Sequence, residues 1–276
     1  MNLNTVAEVR QPRVADEITE WREGYAWLAG GTWLFSAPQV STHTLIDLQS
    51  LRWPSLQVTA EGLEIAATCT LAELANFAAP ATWQAAPLFK MCCESLLASF
   101  KIWNAATVGG NICMSLPAGS MISLTSSLEG TYTLWPRHGA AHKLAAVDFV
   151  TGNHANVLQP GELLRSIHLP ARALAKRFAF RRASLTQLGR SAIIVIGTQT
   201  PSAGDLVLTV TAATTKPHQM RFARMPDAQT LRETIFATIP EADYFDDVHG
   251  SARYKRHLTY YFAELVRAEL AAGTSP

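Results

Sequence analysis

The sequence predicts an α+β fold: two short α/β units, about residues 1–54 and 55–170, then a smaller α+β portion, residues 171–276, of antiparallel strands and helices. Short apolar runs of strand length alternate with helix-initiating signals as far as Pro170. Beyond Pro170 strand-like runs come first and helical patterns last. Two glycine pairs, Gly30-Gly31 and Gly109-Gly110, interrupt the pattern where loops are needed.

In chain order, Val14 to Glu23 predicts a helix, Trp27 to Ala29 a buried strand leading into the first glycine turn, and Thr44 to Asp47 a second strand. Leu63 to Ala67 reads as a strand, after which Thr70 and Glu73 form a capping box that opens a helix over Leu71 to Phe77. Pro80 and Pro87 punctuate the chain before a longer helix, Leu88 to Phe100. Met121 to Leu128 predicts a helix, with strands at Thr131 to Trp135 and Leu163 to Leu169. In the last portion, Arg177 to Ala183 and Leu206 to Ala212 predict strands, and Asp227 to Ala237 and Ser251 to Leu270 helices. The final helix carries Tyr254, Leu258, Phe262 and Leu265 at helical spacing, which reads as a core stripe.

A chain of 276 residues with 48% hydrophobic content can bury one large core or two modest ones. Lys+Arg number 23 and Asp+Glu 22, so no basic excess points to nucleic acid or an anionic membrane. The N-terminus lacks an apolar core of signal-peptide length, and no apolar run approaches a bilayer span. Cys69, Cys92, Cys93 and Cys113 fit neither zinc nor iron–sulfur spacing and read as reduced, buried thiols.

The chemistry concentrates in Lys101 to Pro117, KIWNAATVGGNICMSLP, and Trp27 to Phe35, WLAGGTWLF. Thr107, Gly109, Gly110 and Asn111 place backbone without side chains beside a hydroxyl and an amide, so that N–H groups can face an oxyanion; Gly30, Gly31 and Thr32 repeat the arrangement. Two such loops suit a diphosphate, whose two charges both need donors when buried. Neither loop has the GxxxxGK[ST] or GxGxxG pattern, which disfavours a P-loop enzyme or a Rossmann dehydrogenase.

The order AGGT, the strand LIDL (Leu45 to Leu48) and then NAATVGGNI before a proline-containing loop resembles the FAD-binding medium subunit of the molybdenum hydroxylases: xanthine dehydrogenase, carbon monoxide dehydrogenase and aldehyde oxidoreductase. LQPGELLRSIHLP and HGSARYKRHLTYYFAEL extend the resemblance over essentially the whole chain. It implies a PCMH-type FAD-binding domain over residues 1–170 and a C-terminal α+β domain over 171–276. The stretch from Trp27 through Leu28, Ala29, Gly30, Gly31, Thr32 and Trp33 to Leu34, with Thr107, Gly109, Gly110 and Asn111, would wrap the FAD diphosphate. Leu97 and Leu164 would make apolar contacts around the flavin, and Arg181 would stand near its edge, where a cation stabilises the anionic reduced ring.

Two positions depart from the family pattern. Trp33 stands where an acidic residue is common, and its indole reads more readily as core filling than as a ring stacked on cofactor. Ser120 replaces an aspartate, a change worth about 1–2 kcal/mol of hydrogen bonding. By resemblance the chain passes electrons from a pair of 2Fe-2S clusters on a small iron–sulfur subunit through FAD to a terminal acceptor. A large molybdopterin-binding subunit oxidises an aldehyde, purine or N-heterocycle. No catalytic side chain is implied. The alternatives are a scaffold subunit with weakened or lost FAD binding, or a self-contained flavin oxidase. The expected compartment is the cytoplasm, or the periplasm if a signal-bearing partner carries the folded chain across.

The remaining motifs read as structural. His138 and His142 have ligand-like spacing but no third ligand nearby. Asp243, Asp246 and Asp247 read as a solvated acidic loop, and the basic run Arg172 to Arg182 as a charged strand edge or a recognition site for phosphate or a partner.

Overall fold

In the computed structural model, which describes residues 4–273 apart from Thr19 and Ser202, the chain builds three larger sheets in succession. Strands β1 (Glu8–Arg10), β2 (Tyr25–Leu28) and β3 (Thr44–Asp47) form a parallel sheet in the order β1-β3-β2. Of the helix expected over Val14 to Glu23, only one 3-10 turn forms, Ala15–Glu17, with Thr19 outside the described residues. Tertiary packing overrides propensity there: the Trp21 ring lies 4.6 Å from Trp27 and packs against Gly161, while Glu20 pairs with Arg10 and Arg22.

The second unit starts with β4 (Leu56–Thr59) and β5 (Gly62–Ala66). The expected capping box forms at Thr70 and Glu73 and opens α1 (Leu71–Ala75). The long helix expected from Leu88 to Phe100 is instead two, α2 (Pro87–Glu94) and α3 (Phe100–Trp103). Ser95 ends the first by donating its hydroxyl to the Met91 carbonyl, at 2.8 Å, and the chain leaves through Leu96 to Ala98 to wall a cavity. Then come α4 (Val108–Cys113), α5 (Ser120–Ser127), β6 (Thr131–Trp135), β7 (His142–Ala145), the small hairpin β8 (Val150–Gly152) and β9 (Ala155–Asn156), and β10 (Leu163–Pro170). Although strand and helix alternate here as expected, the sheet, in the order β4-β5-β10-β6-β7, is wholly antiparallel.

After α6 (Ala171–Leu174), the strands β11 (Arg177–Ser184), β12 (Ser191–Gln199), β13 (Leu206–Thr211) and β14 (His218–Phe222) form an antiparallel meander, closed by α7 (Ala228–Thr238) and α8 (Ala252–Ala271). Of the basic run, Arg177, Arg181 and Arg182 lie on the edge strand β11, whereas Arg172 is on α6 and the buried Lys176 pairs with Glu129. Sequence pattern missed β12, whose nine residues are all buried. Ile194 and Ile196 enter the core built around α2 and α5, while Ile193 and Val195 enter the core under α8, so the strand partitions two cores and has no polar face to alternate. Ser123 and Thr211 share a 2.7 Å hydroxyl bond between α5 and β13, and the Ala212 N–H donates to the Pro117 carbonyl, seating the meander on the second unit.

The stripe expected on α8 is out of phase by about one residue. Lys255, Thr259, Ala263, Val266 and Leu270 form the buried face, while Tyr254 is 41% exposed. The acidic loop is solvated only in part, Asp246 being exposed while Asp243 and Asp247 are half-buried. Asp243 pairs with His218 at 2.9 Å, Asp246 accepts from the Ala252 N–H, and Asp247 pairs with the fully buried Lys255 at 2.9 Å.

Candidate cofactor site

Strand β2 delivers the first glycine loop at the carboxyl end of the parallel sheet, the usual ligand-facing end of such strands. A Cβ on Gly30 would fall 1.8 Å from the Ala105 carbonyl oxygen, so only glycine lets this loop press against the chain that precedes Thr107. Gly31 has φ +66°, and the Phe35 N–H donates to its carbonyl at 2.8 Å, closing one helical turn. Such a turn leaves its leading donors free. Among the described residues the N–H groups of Gly31, Thr32, Trp33 and Leu34 have no protein acceptor, nor does the Thr32 hydroxyl.

The second glycine pair behaves differently from the expectation. It lies in the first turn of α4, and its amides are already used: Val108 N–H donates to Cys69 O, Gly109 N–H to Ala67 O, and Gly110 N–H to the Thr107 hydroxyl. What this loop offers is side chains. The Thr107 hydroxyl keeps its own proton to donate. Asn111 accepts from the Met121 N–H through Oδ1 at 3.0 Å, which fixes the amide and leaves its Nδ2 donor without a partner among the described residues.

Between the loops lies a cavity of about 560 Å³. Trp27, Ala29, Gly30, Gly31, Thr32, Trp33 and Leu34 line one side, and Thr107, Gly110 and Asn111 another, with Leu97 among the apolar residues of the Ser95 to Ala98 segment. Among the described residues no carboxylate lines it. Arg190 is the one charged side chain on the wall among the described residues, and the sequence reading missed it because it sits alone after a turn, outside any motif. Cys113 also lines the wall; burial raises its pKa to about 12, so it remains a neutral thiol. Trp33 is not core filling: it is 47% exposed, with its ring 5.7 Å from that of His154.

Five expected contacts are not brought to the cavity. Leu28 packs behind the turn, with Cδ1 against Gly31. Gly109 faces Ala67, where a Cβ would come within 2.5 Å, so this glycine serves close packing of α4 on the chain after β5. Ser120 is fully buried at the start of α5, its hydroxyl without a partner among the described residues. Leu164 is 1% exposed and belongs to the core. Arg181 bonds Glu269 and the Phe180 carbonyl on the outer strand, away from the cavity lining.

The free donors, the absence of opposing carboxylate and the apolar flanks fit a cofactor with a charged diphosphate between flatter, less polar ends. Comparison with known proteins points the same way. Residues 6–172 match the family described as FAD binding domain in molybdopterin dehydrogenase. The chain is 30% identical over 122 residues to xanthine dehydrogenase of Oryza sativa subsp. japonica, a match covering 42% of this chain and 9% of that protein. It is 31% identical over 87 residues to the carbon monoxide dehydrogenase medium chain of Afipia carboxidovorans, covering 32% of this chain and 30% of that protein. The matches thus span less than a third of these relatives' lengths.

Among solved structures, the fold is similar to a chain of reconstituted CO dehydrogenase from Oligotropha carboxidovorans, with TM-score 0.81, 21% identity and coverage of 96% of this chain and 97% of that one. It is also similar to a chain of quinoline 2-oxidoreductase from Pseudomonas putida 86, with TM-score 0.79, 18% identity and 99% coverage of both.

Proposed function

The chain belongs to the family of FAD binding domains in molybdopterin dehydrogenases, and from that premise we propose that it holds FAD between its two glycine loops and relays electrons within a molybdenum hydroxylase complex. Electrons enter from iron–sulfur clusters on a small partner subunit and leave to a terminal acceptor. A large molybdopterin subunit oxidises an aldehyde, purine or N-heterocycle. The FAD-binding domain spans residues 1–170 and the C-terminal domain 171–276. The complex works in the cytoplasm, or in the periplasm when exported with a signal-bearing partner. Among the described residues, no helix is long and apolar enough to cross a membrane.

The observation that carries this reading is the set of unspent donors on one cavity: the N–H groups of Gly31 to Leu34 and the Thr32 hydroxyl on one loop, and the Thr107 hydroxyl and Asn111 Nδ2 on the other. The first loop would take one phosphate through its backbone, the second loop the other through side chains. Leu97 and Trp33 would lie against the flat parts of the cofactor. Arg190, not the ion-paired Arg181, is the cation available to it. Bound there, FAD supplies the electron-carrying chemistry, while the chain supplies position and charge.

Asn111→Asp tests the assignment with little change of shape. The carboxylate keeps the acceptor for Met121 N–H but turns a donor into a negative charge facing the diphosphate. FAD affinity should fall by about 100-fold, roughly 3 kcal/mol, with the thermal midpoint nearly unchanged. Undiminished FAD content in this variant would remove the second loop from the site.

Burial of Ser120 and Leu164 and the engagement of Arg181 favour a second reading, a scaffold subunit that keeps the fold with weakened flavin binding. The two readings part on whether the folded wild-type chain takes up FAD.

A further inference from the structure

Helices α7 and α8 leave a groove of about 710 Å³ along their seam, where Tyr260 on the wall also packs against the core beneath. Its walls are two stripes in helical register: Gln229, Arg232, Glu233 and Phe236 on α7, and Arg253, Arg256, His257 and Tyr260 on α8, each at i, i+3, i+4 and i+7. Phe236 is 69% exposed within it, which a buried-core role does not explain. Three arginines stand against one glutamate. Arg232 stacks over the Tyr260 ring at 4.8 Å, Arg256 pairs with Glu241 at 3.2 Å, and the exposed Arg253 has no carboxylate partner among the described residues.

We infer that this groove is a docking site for an amphipathic acidic helix of a partner chain. A groove between two helices, walled at i, i+3, i+4 and i+7, has the shape that accepts the ridge of a third. Phe236 and Tyr260 offer the apolar contact for its buried face, and the arginines select glutamates and aspartates on its flanks. The inference does not depend on flavin, since none of these residues lines the cofactor cavity.

The test uses the full chain and a fluorescein-labelled, end-blocked helix of about 18 residues, with leucines on one stripe and glutamates on its borders. Anisotropy should show saturable binding that weakens about tenfold between about 50 and 300 mM salt. Arg253→Glu and Phe236→Ser should each weaken it about tenfold, with unchanged melting curves because both sites are exposed; Arg253→Gln should show a smaller loss. No saturable binding, equal binding of a peptide whose leucines are scattered around the helix, or indifference to the substitutions overturns the proposal. So does self-association in sedimentation that Phe236→Ser abolishes, because the occupant is then a second copy of this chain.

Discussion

Arg190 reaches the cavity from the turn between β11 and β12, and its guanidinium faces walls without another charge among the described residues. Arg190→Gln should therefore weaken FAD binding and lower the potential of the bound flavin, because the cation favours the more negative reduced form. Arg181→Gln should leave both unchanged, since that side chain is engaged with Glu269; the reverse pattern in a redox titration would return the role to Arg181. The thiols make a second prediction at this scale. Burial raises the pKa of Cys69, Cys92, Cys93 and Cys113, so native protein should resist iodoacetamide near neutral pH and react once unfolded. Fast native alkylation would show that the wall at Cys113 opens to water. Sequence exposed Thr32, Thr107 and Asn111, because glycine pairs beside hydroxyl and amide residues are local signals. It could not show that the amides of Val108 to Gly110 are spent on Cys69, Ala67 and Thr107, since two of those acceptors lie some 40 residues away in the chain.

Among the elements, α8 shows both what a local pattern reveals and where it fails. Ser251 caps the helix where the sequence predicted its start, because capping is written within four residues. The buried stripe was mis-phased because Lys255, nominally polar, occupies a core position. Its ammonium is neutralised by Asp247 and lies 5.2 Å from the Phe245 ring. Removing one partner of such a pair strands the other. Asp247→Ala should cost about 3–5 kcal/mol in urea unfolding by leaving a buried ammonium unpaired. Lys255→Met should cost less, because it keeps the stem in the core and Asp247 retains the His249 N–H and access to water. Equal losses would mean that the ion pair itself, and not the stranding of an ammonium, is what α8 requires. Strand β12 was illegible for a related reason: a strand that feeds two cores has no period.

At the scale of the whole molecule, charged groups tie the last sheet to the rest. Glu129, in the turn after α5, pairs with Lys176 at 2.9 Å and with Arg221 on β14. Burial pushes its pKa up, but the hydrogen bonds from Arg221 and Lys176 outweigh this and hold it below the ordinary glutamate value. A carboxylate with a depressed folded pKa stabilises the fold above its unfolded pKa, near 4.5, and that contribution is lost as pH falls through the folded value. For His218, burial itself lowers the pKa, against the attraction of Asp243. The unfolded chain then takes up a proton first, so stability also declines as pH drops below about 6.5. Urea midpoints should fall in two stages on acidification. Glu129→Gln should shrink the lower stage, to which the depressed Glu73 and Asp227 carboxylates also contribute, and His218→Gln should remove the upper; an unaltered pH profile in either variant would assign that stage to other groups. The mixed fold and the two facing loops were legible because their signals are local. The antiparallel pairing of the second sheet and the place of Arg190 were not, because both depend on which distant segments meet.

Occupancy of this cavity by FAD is tested most directly by equilibrium titration of the purified, flavin-stripped chain with FAD, read by flavin fluorescence and calorimetry. Saturation at one FAD per chain, with the affinity about 100-fold weaker in Asn111→Asp, is the predicted result. A chain that is folded by circular dichroism yet takes up no FAD would contradict the account and leave the scaffold reading.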